Sequence, residues 1–116
     1  MAKKGRPRKP LPEGWKETVL SLMKEGASKV EVMAELDISN NVFYKYVKED
    51  KDFDDTIKKG ETLSQGWWEK QGRINLDSKS FNHVLWYMNM KNRFRESWND
   101  RSELTITKAD GVVFVE

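Results

Sequence analysis

Two serines, Ser28 and Ser39, constrain this chain more than any other feature, because each marks a point where a helix has to begin. Ser28-Lys29-Val30-Glu31 has the spacing of a capping box, in which the serine oxygen accepts from a backbone amide one turn on while the glutamate reaches back to the serine amide. Ser39 opens the next helix, with Ile38 before it and Phe43 after it at the spacing of a hydrophobic staple. Between the two, Asp37 in Leu36-Asp37-Ile38 is one of the few residue types besides glycine that tolerate a left-handed backbone. Upstream, Trp15, Val19 and Leu22 recur at helical spacing and Gly26 supplies a stop. Residues 13–50 are therefore expected to form a trihelical unit whose last two helices make a helix-turn-helix.

The same periodicity predicts faces. In the second helix Val30, Met33 and Ala34 lie on one side and are expected inward. In the third, an inward Phe43, Tyr46 and Val47 leave Asn40, Asn41, Tyr44, Lys45 and Lys48 outward. Those types suit DNA: asparagine pairs with adenine through two hydrogen bonds, lysine neutralises phosphate, and a helix N-terminus favours an anion. The plain alternative is a small trihelical core with an ordinary polar face. Two N-cap signals, a short turn and an outer face without carboxylates favour nucleic-acid contact.

Charge is nearly balanced over the 116 residues, at a formal +2, so net charge alone demands no nucleic-acid partner. Its distribution is more informative. Residues 1–12 hold all three prolines and the unopposed cations Lys3, Lys4, Arg6, Arg8 and Lys9, the composition of an arm that is disordered alone. Its centre, Gly5-Arg6-Pro7, resembles the core of an AT-hook, which lays arginines into a narrow minor groove where the negative potential is enhanced. A solubilising basic tail is the alternative. The chain has no cysteine, which fits a reducing compartment, and no apolar run of membrane-spanning length or signal-peptide core, so a soluble intracellular protein is expected.

From Asp50 the composition turns acidic. Asp50, Asp52, Asp54 and Glu61 match positions of a calcium-binding loop, but Asp55 stands where that loop needs glycine, and the acidic run suits the first turn of a helix better. That helix is expected over about residues 53–74, with Phe53, Ile57, Gly60, Leu63 or Ser64, Trp67 and Gln71 along one side. Gly60, Gly66 and Gly72 interrupt it, each at about 1 kcal/mol against alanine, which points to close approach by another helix or to bends. Adjacent Trp67 and Trp68 diverge by about 100° on a helix, so one of them needs either a partner chain or a covering loop of its own.

A polar turn over residues 75–80 leads to a second long helix from about Ser80, with Phe81, Val84, Leu85 and Met88 inward and Trp86, Tyr87 and Met90 on the remaining surface. Paired with its predecessor it would make a helical hairpin over residues 51–98 carrying surplus aromatic surface, the look of an oligomerisation element. Trp67, Trp68, Phe81, Leu85, Trp86, Met88, Phe94 and Trp98 are the candidates for that interface. His83, the only histidine, has no ligand cluster around it, and neither a metal nor a cofactor is expected. Within residues 99–116, Leu104-Thr105-Ile106-Thr107 and Val112-Val113-Phe114-Val115 flank Asp110-Gly111 and read as a short β-hairpin, with a frayed tail as the alternative. The expected fold is mainly α: a trihelical unit, a long helical hairpin and a short C-terminal β-hairpin.

Gly5-Arg6-Pro7, Gly26-Ala27-Ser28 through Ile38-Ser39-Asn40, Phe43-Tyr44, Phe53, and above all Met90-Lys91-Asn92-Arg93-Phe94 followed by Trp98-Asn99-Asp100 together resemble the small terminase subunits of tailed bacteriophages. The likeness spreads over most of residues 5–100, generic in the helix-turn-helix and more specific in the Lys-Asn-Arg-Phe segment; Asp37 departs from it, since such turns more often carry glycine. The resemblance implies a homo-oligomeric ring in the host cytoplasm that binds double-stranded viral DNA and recruits and regulates a large terminase subunit with ATPase and nuclease activity. Independently, the chain has no Gly-x-x-x-x-Gly-Lys-Ser/Thr loop and no catalytic cluster, so it is expected not to be an enzyme. Two other readings stand beside this one: a dimeric helix-turn-helix transcriptional regulator or transposase-type DNA-binding protein, and a calcium-responsive interaction module.

Overall fold

The computed structural model describes residues 10–99, which are mainly helical, with no strand among them. In order, the helices are α1 (Trp15–Lys24), α2 (Lys29–Leu36), α3 (Asn40–Glu49), α4 (Lys51–Ile74), α5 (His83–Arg93) and the single turn α6 (Arg95–Trp98). The chain divides into two compact units, Met1–Trp68 and Glu69–Glu116, with the division falling inside α4. Residues 1–9 of the expected arm (residues 1–12) and the expected C-terminal strands lie outside the described residues; within residues 10–12, Leu11 packs against the core and the Pro12 carbonyl accepts from the Trp15 amide at 3.1 Å, so this end of the expected arm is ordered.

In the first unit every helix junction is set by a local signal. α1 ends where the Gly26 amide donates to the Met23 carbonyl at 2.9 Å and Gly26 takes φ +95°. Few residues but glycine take that angle without strain. At Ser28 both halves of the capping box form: the Glu31 amide donates to Ser28 Oγ at 3.2 Å, and the Ser28 amide donates to Glu31 Oε2 at 2.8 Å. α2 ends at Asp37, whose φ of 56° is the one positive value among the described residues other than glycine. Ser39 Oγ then accepts from Val42 to open α3, and Asp50 Oδ1 accepts from Phe53 at 3.1 Å to open α4. Each bond satisfies an amide that a helix start would leave unpaired.

Fixed in this way, the helices close on one core, in which Val19, Val32, Phe43 and Phe53 are wholly buried and Met23, Leu36, Ile38 and Ile57 nearly so. Phe53 is its centre, with ring centroids of Trp15, Phe43 and Tyr46 at 5.3, 5.4 and 5.3 Å. Aromatic contacts of this kind add about 0.5–1.5 kcal/mol each to the burial itself. The inward face of α2 differs from the expected one. Val32, Met33 and Leu36 are buried, whereas Val30 is 69% exposed and Ala34 is also exposed. Both stripes have helical spacing, and the one carrying valine, methionine and leucine has more apolar surface to bury than the one that ends on alanine.

The α1–α2 connection is clasped by α4. Ser64 Oγ donates to the Ala27 carbonyl at 3.1 Å, Trp68 Nε1 donates to the Gly26 carbonyl at 2.9 Å, and the Trp67 ring lies against the Gly26 α-carbon. Trp67 and Trp68 meet edge to face, centroids 5.3 Å apart, and both are half-buried. Of the two expectations for this pair, the covering loop is the one found. Gly60 lies under Met23 with no room for a Cβ, whereas Gly66 faces open space.

In the second unit His83 Nε2 donates to the Asn75 carbonyl at 2.9 Å, Trp86 covers Gly72, and Trp98 Nε1 donates to Glu69 Oε2 at 3.1 Å. The order of these contacts is reversed along the chain, so α5 and α6 fold back on the end of α4. Here the expectations need correcting. α5 begins at His83, capped by Asn82 Oδ1 accepting from Leu85 at 2.9 Å, and it is a shorter helix, broken at Phe94. Its inward face also differs: Met90 is wholly buried and Trp86 half-buried, while Val84, Leu85 and Met88 are 70, 56 and 53% exposed; Tyr87 is exposed and Phe81 half-buried, as expected. Gly72 explains the difference, since a position without Cβ admits the Trp86 indole against the backbone, and Trp86 then sets the rotation of α5.

Candidate nucleic-acid interface

α3 presents its polar face because its apolar one is fully engaged: Phe43 and Tyr46 are buried, and Asn40, Asn41, Tyr44, Lys45 and Lys48 are therefore all exposed. Asn41, Val42, Tyr44, Lys45 and Lys48 line a shallow open concavity along the helix. Tyr44 is in its middle, with its ring edge to face against Phe43 at 5.0 Å, which stiffens a side chain that is otherwise 46% exposed. Asn41, Tyr44, Lys45 and Lys48 carry two positive charges, two amide or hydroxyl groups and no carboxylate. Such a set can neutralise phosphates and hydrogen-bond to base edges.

A further cation borders this face. Lys29, the first residue of α2, places Nζ 5.9 Å from the Tyr44 ring centroid and 2.9 Å from Glu61 Oε2 on α4. Partial burial acts to lower its pKa, but the hydrogen bond and charge of Glu61, with a smaller contribution from Tyr44, outweigh that and hold the ammonium above its ordinary value. Lys29 therefore stays charged throughout the neutral range. Sequence reasoning placed it only within the capping box, and nothing in a linear pattern links it to Glu61 or Tyr44.

The acidic stretch does not make a calcium loop. Residues 51–61 are continuous helix, which turns successive carboxylates away from one another. Asp52 accepts from Lys16 at 2.7 Å, Asp54 pairs with Lys58 at 3.1 Å, and Glu61 is engaged by Lys29. The Asp52 hydrogen bond raises the pKa of Lys16. Among the described residues no group of three or more potential ligands could hold a metal.

Of the residues expected at an assembly interface, Trp67, Trp68, Phe81, Trp86, Phe94 and Trp98 are half-buried in their own units, and Leu85 and Met88 are exposed. Trp86 and Trp98 meet edge to face at 5.4 Å. The bare apolar stripe is Val84, Leu85 and Met88, with Tyr87 alongside. Lys3, Lys4, Arg6, Arg8 and Lys9 lie outside the described residues. No helix among those described is long and apolar enough to cross a membrane. No protein-family model, curated protein or solved structure matches this chain.

Proposed function

We propose that this chain is the DNA-recognition subunit of a viral genome-packaging terminase, a non-enzymatic protein that binds double-stranded viral DNA through α3, self-associates through its C-terminal helices, and passes DNA to a large subunit that carries the ATPase and nuclease. α2 and α3 serve as a helix-turn-helix, with α3 as the recognition helix. The observation that carries this reading is the exposed stripe of Asn41, Tyr44, Lys45 and Lys48, held on a helix whose opposite face is locked into the core. The basic arm with Lys3, Lys4, Arg6, Arg8 and Lys9 adds phosphate contacts to it, an assignment made on sequence alone. Self-association in a ring is supported by the exposed Val84, Leu85 and Met88, which a second copy would cover.

The test is DNA affinity as a function of salt. Lys45→Ala and Lys48→Ala should each weaken binding and reduce the slope of log K against log salt by about 0.9, the contribution of one neutralised phosphate. Unchanged affinity in both removes α3 from the DNA face. The second reading, a dimeric regulator or transposase-type protein, draws on the small size of the bare stripe, which one two-fold contact could cover. Footprinting separates the two, because a dimer protects two half-sites about 34 Å apart.

A further inference from the structure

We infer that Lys29 is a reserve phosphate contact, occupied in the free protein by the Glu61 carboxylate, and that a DNA phosphate oxygen displaces Glu61 when α3 docks. The inference rests on the reading of α3 as the DNA-contacting helix and adds to it a residue on a different helix and an internal competitor. Lys29 Nζ is 2.9 Å from Glu61 Oε2 and 5.9 Å from the centre of the Tyr44 ring, so the pair borders the stripe that would lie against DNA. Neither partner is sealed off: the Lys29 and Glu61 side chains are 38 and 45% exposed. An ion pair this accessible contributes little to stability and exchanges partners readily.

Geometry and charge make the competition specific. A phosphate and a carboxylate present the same kind of acceptor oxygen to an ammonium, and Lys29 offers three donors on a flexible stem. Both backbones are fixed by their helices, and the long Lys29 stem need only rotate to move its ammonium toward a ligand at Tyr44. Glu61 is also the carboxylate that DNA phosphates would approach on that side, so its release from Lys29 carries a repulsive cost that lowers affinity for every duplex. The pair thus weakens binding uniformly, whereas direct contacts from Asn41 or Lys45 distinguish one duplex from another.

The experiment is a double-mutant cycle of wild type, Lys29→Gln, Glu61→Gln and the double variant, measured by fluorescence anisotropy with one labelled duplex over a salt series. Lys45→Ala is run alongside, and each protein is checked for unchanged helicity and melting. Glu61→Gln should tighten binding several-fold, Lys29→Gln should weaken it and flatten the salt slope by about 0.9, and the gain from Glu61→Gln should largely vanish in the Lys29→Gln background. If that gain persists undiminished without Lys29, Glu61 acts as a general negative charge and the inference is overturned; no gain at all overturns it equally. If Lys45→Ala also leaves affinity unchanged, the failure belongs to the assignment of α3 itself.

Discussion

The two units of this chain solve the same problem to different degrees. In the first, three short helices and the start of α4 bury ten apolar side chains in a single cluster, and a polar side chain or a left-handed residue fixes each junction between them. In the second, Met90 is the one wholly buried apolar side chain among the described residues, while Ile74, Leu76, Val84, Leu85 and Met88 are all more than half exposed. A unit with a filled core can present a polar face for a ligand, whereas the described residues of the second leave an apolar stripe bare. On the proposed function, recognition falls to α3 and association to α5.

The strongest way to break the contrast is to open the core of the first unit. Phe53→Ala removes the ring that Trp15, Phe43 and Tyr46 share and should cost about 3–5 kcal/mol, measured as a shift of the urea midpoint followed by circular dichroism. A loss under 1 kcal/mol would mean that the core is looser than its burial implies. Gly26→Ala comes next, since it forces a side chain into φ +95° and against Trp67, where a Cβ would sit 2.5 Å from Cε3. About 1–3 kcal/mol is expected, with a change in tryptophan fluorescence that reports displacement of the Trp67 ring. Smaller still, Ser39→Ala should cost about 1 kcal/mol by leaving the Val42 amide without its acceptor; Ser39→Asp should restore most of it.

The same contrast decides how much was legible in the sequence. Caps are local, so Ser28, Asp37 and Ser39 disclosed the junctions they make, and the outward set on α3 followed from Phe43 and Tyr46. The choice between two equally periodic stripes is not local. On α2 it fell to Val32, Met33 and Leu36, with Val30 left outside, and on α5 it was set by the fit of Trp86 to Gly72, two residues far apart in sequence. The Lys29–Glu61 pair was hidden for the same reason, because no pattern along the chain brings α2 and α4 together.

The stability of that pair has a defined pH window. Lys29 has a raised pKa in the folded chain, so its contribution is fully present below the ordinary lysine value of 10.5 and is lost only as pH rises through the higher folded value. No change traceable to Lys29 is therefore expected between pH 7 and 9.

The most direct test of the division of labour is the native mass of the full chain over a concentration series, by light scattering, beside that of Leu85→Asp. Leu85 is 56% exposed, so the variant should keep its helicity. A discrete closed assembly larger than a dimer is expected for the wild type, and its dissociation in Leu85→Asp. A wild-type chain that stays monomeric at every concentration, or an assembly indifferent to Leu85→Asp, would contradict that division.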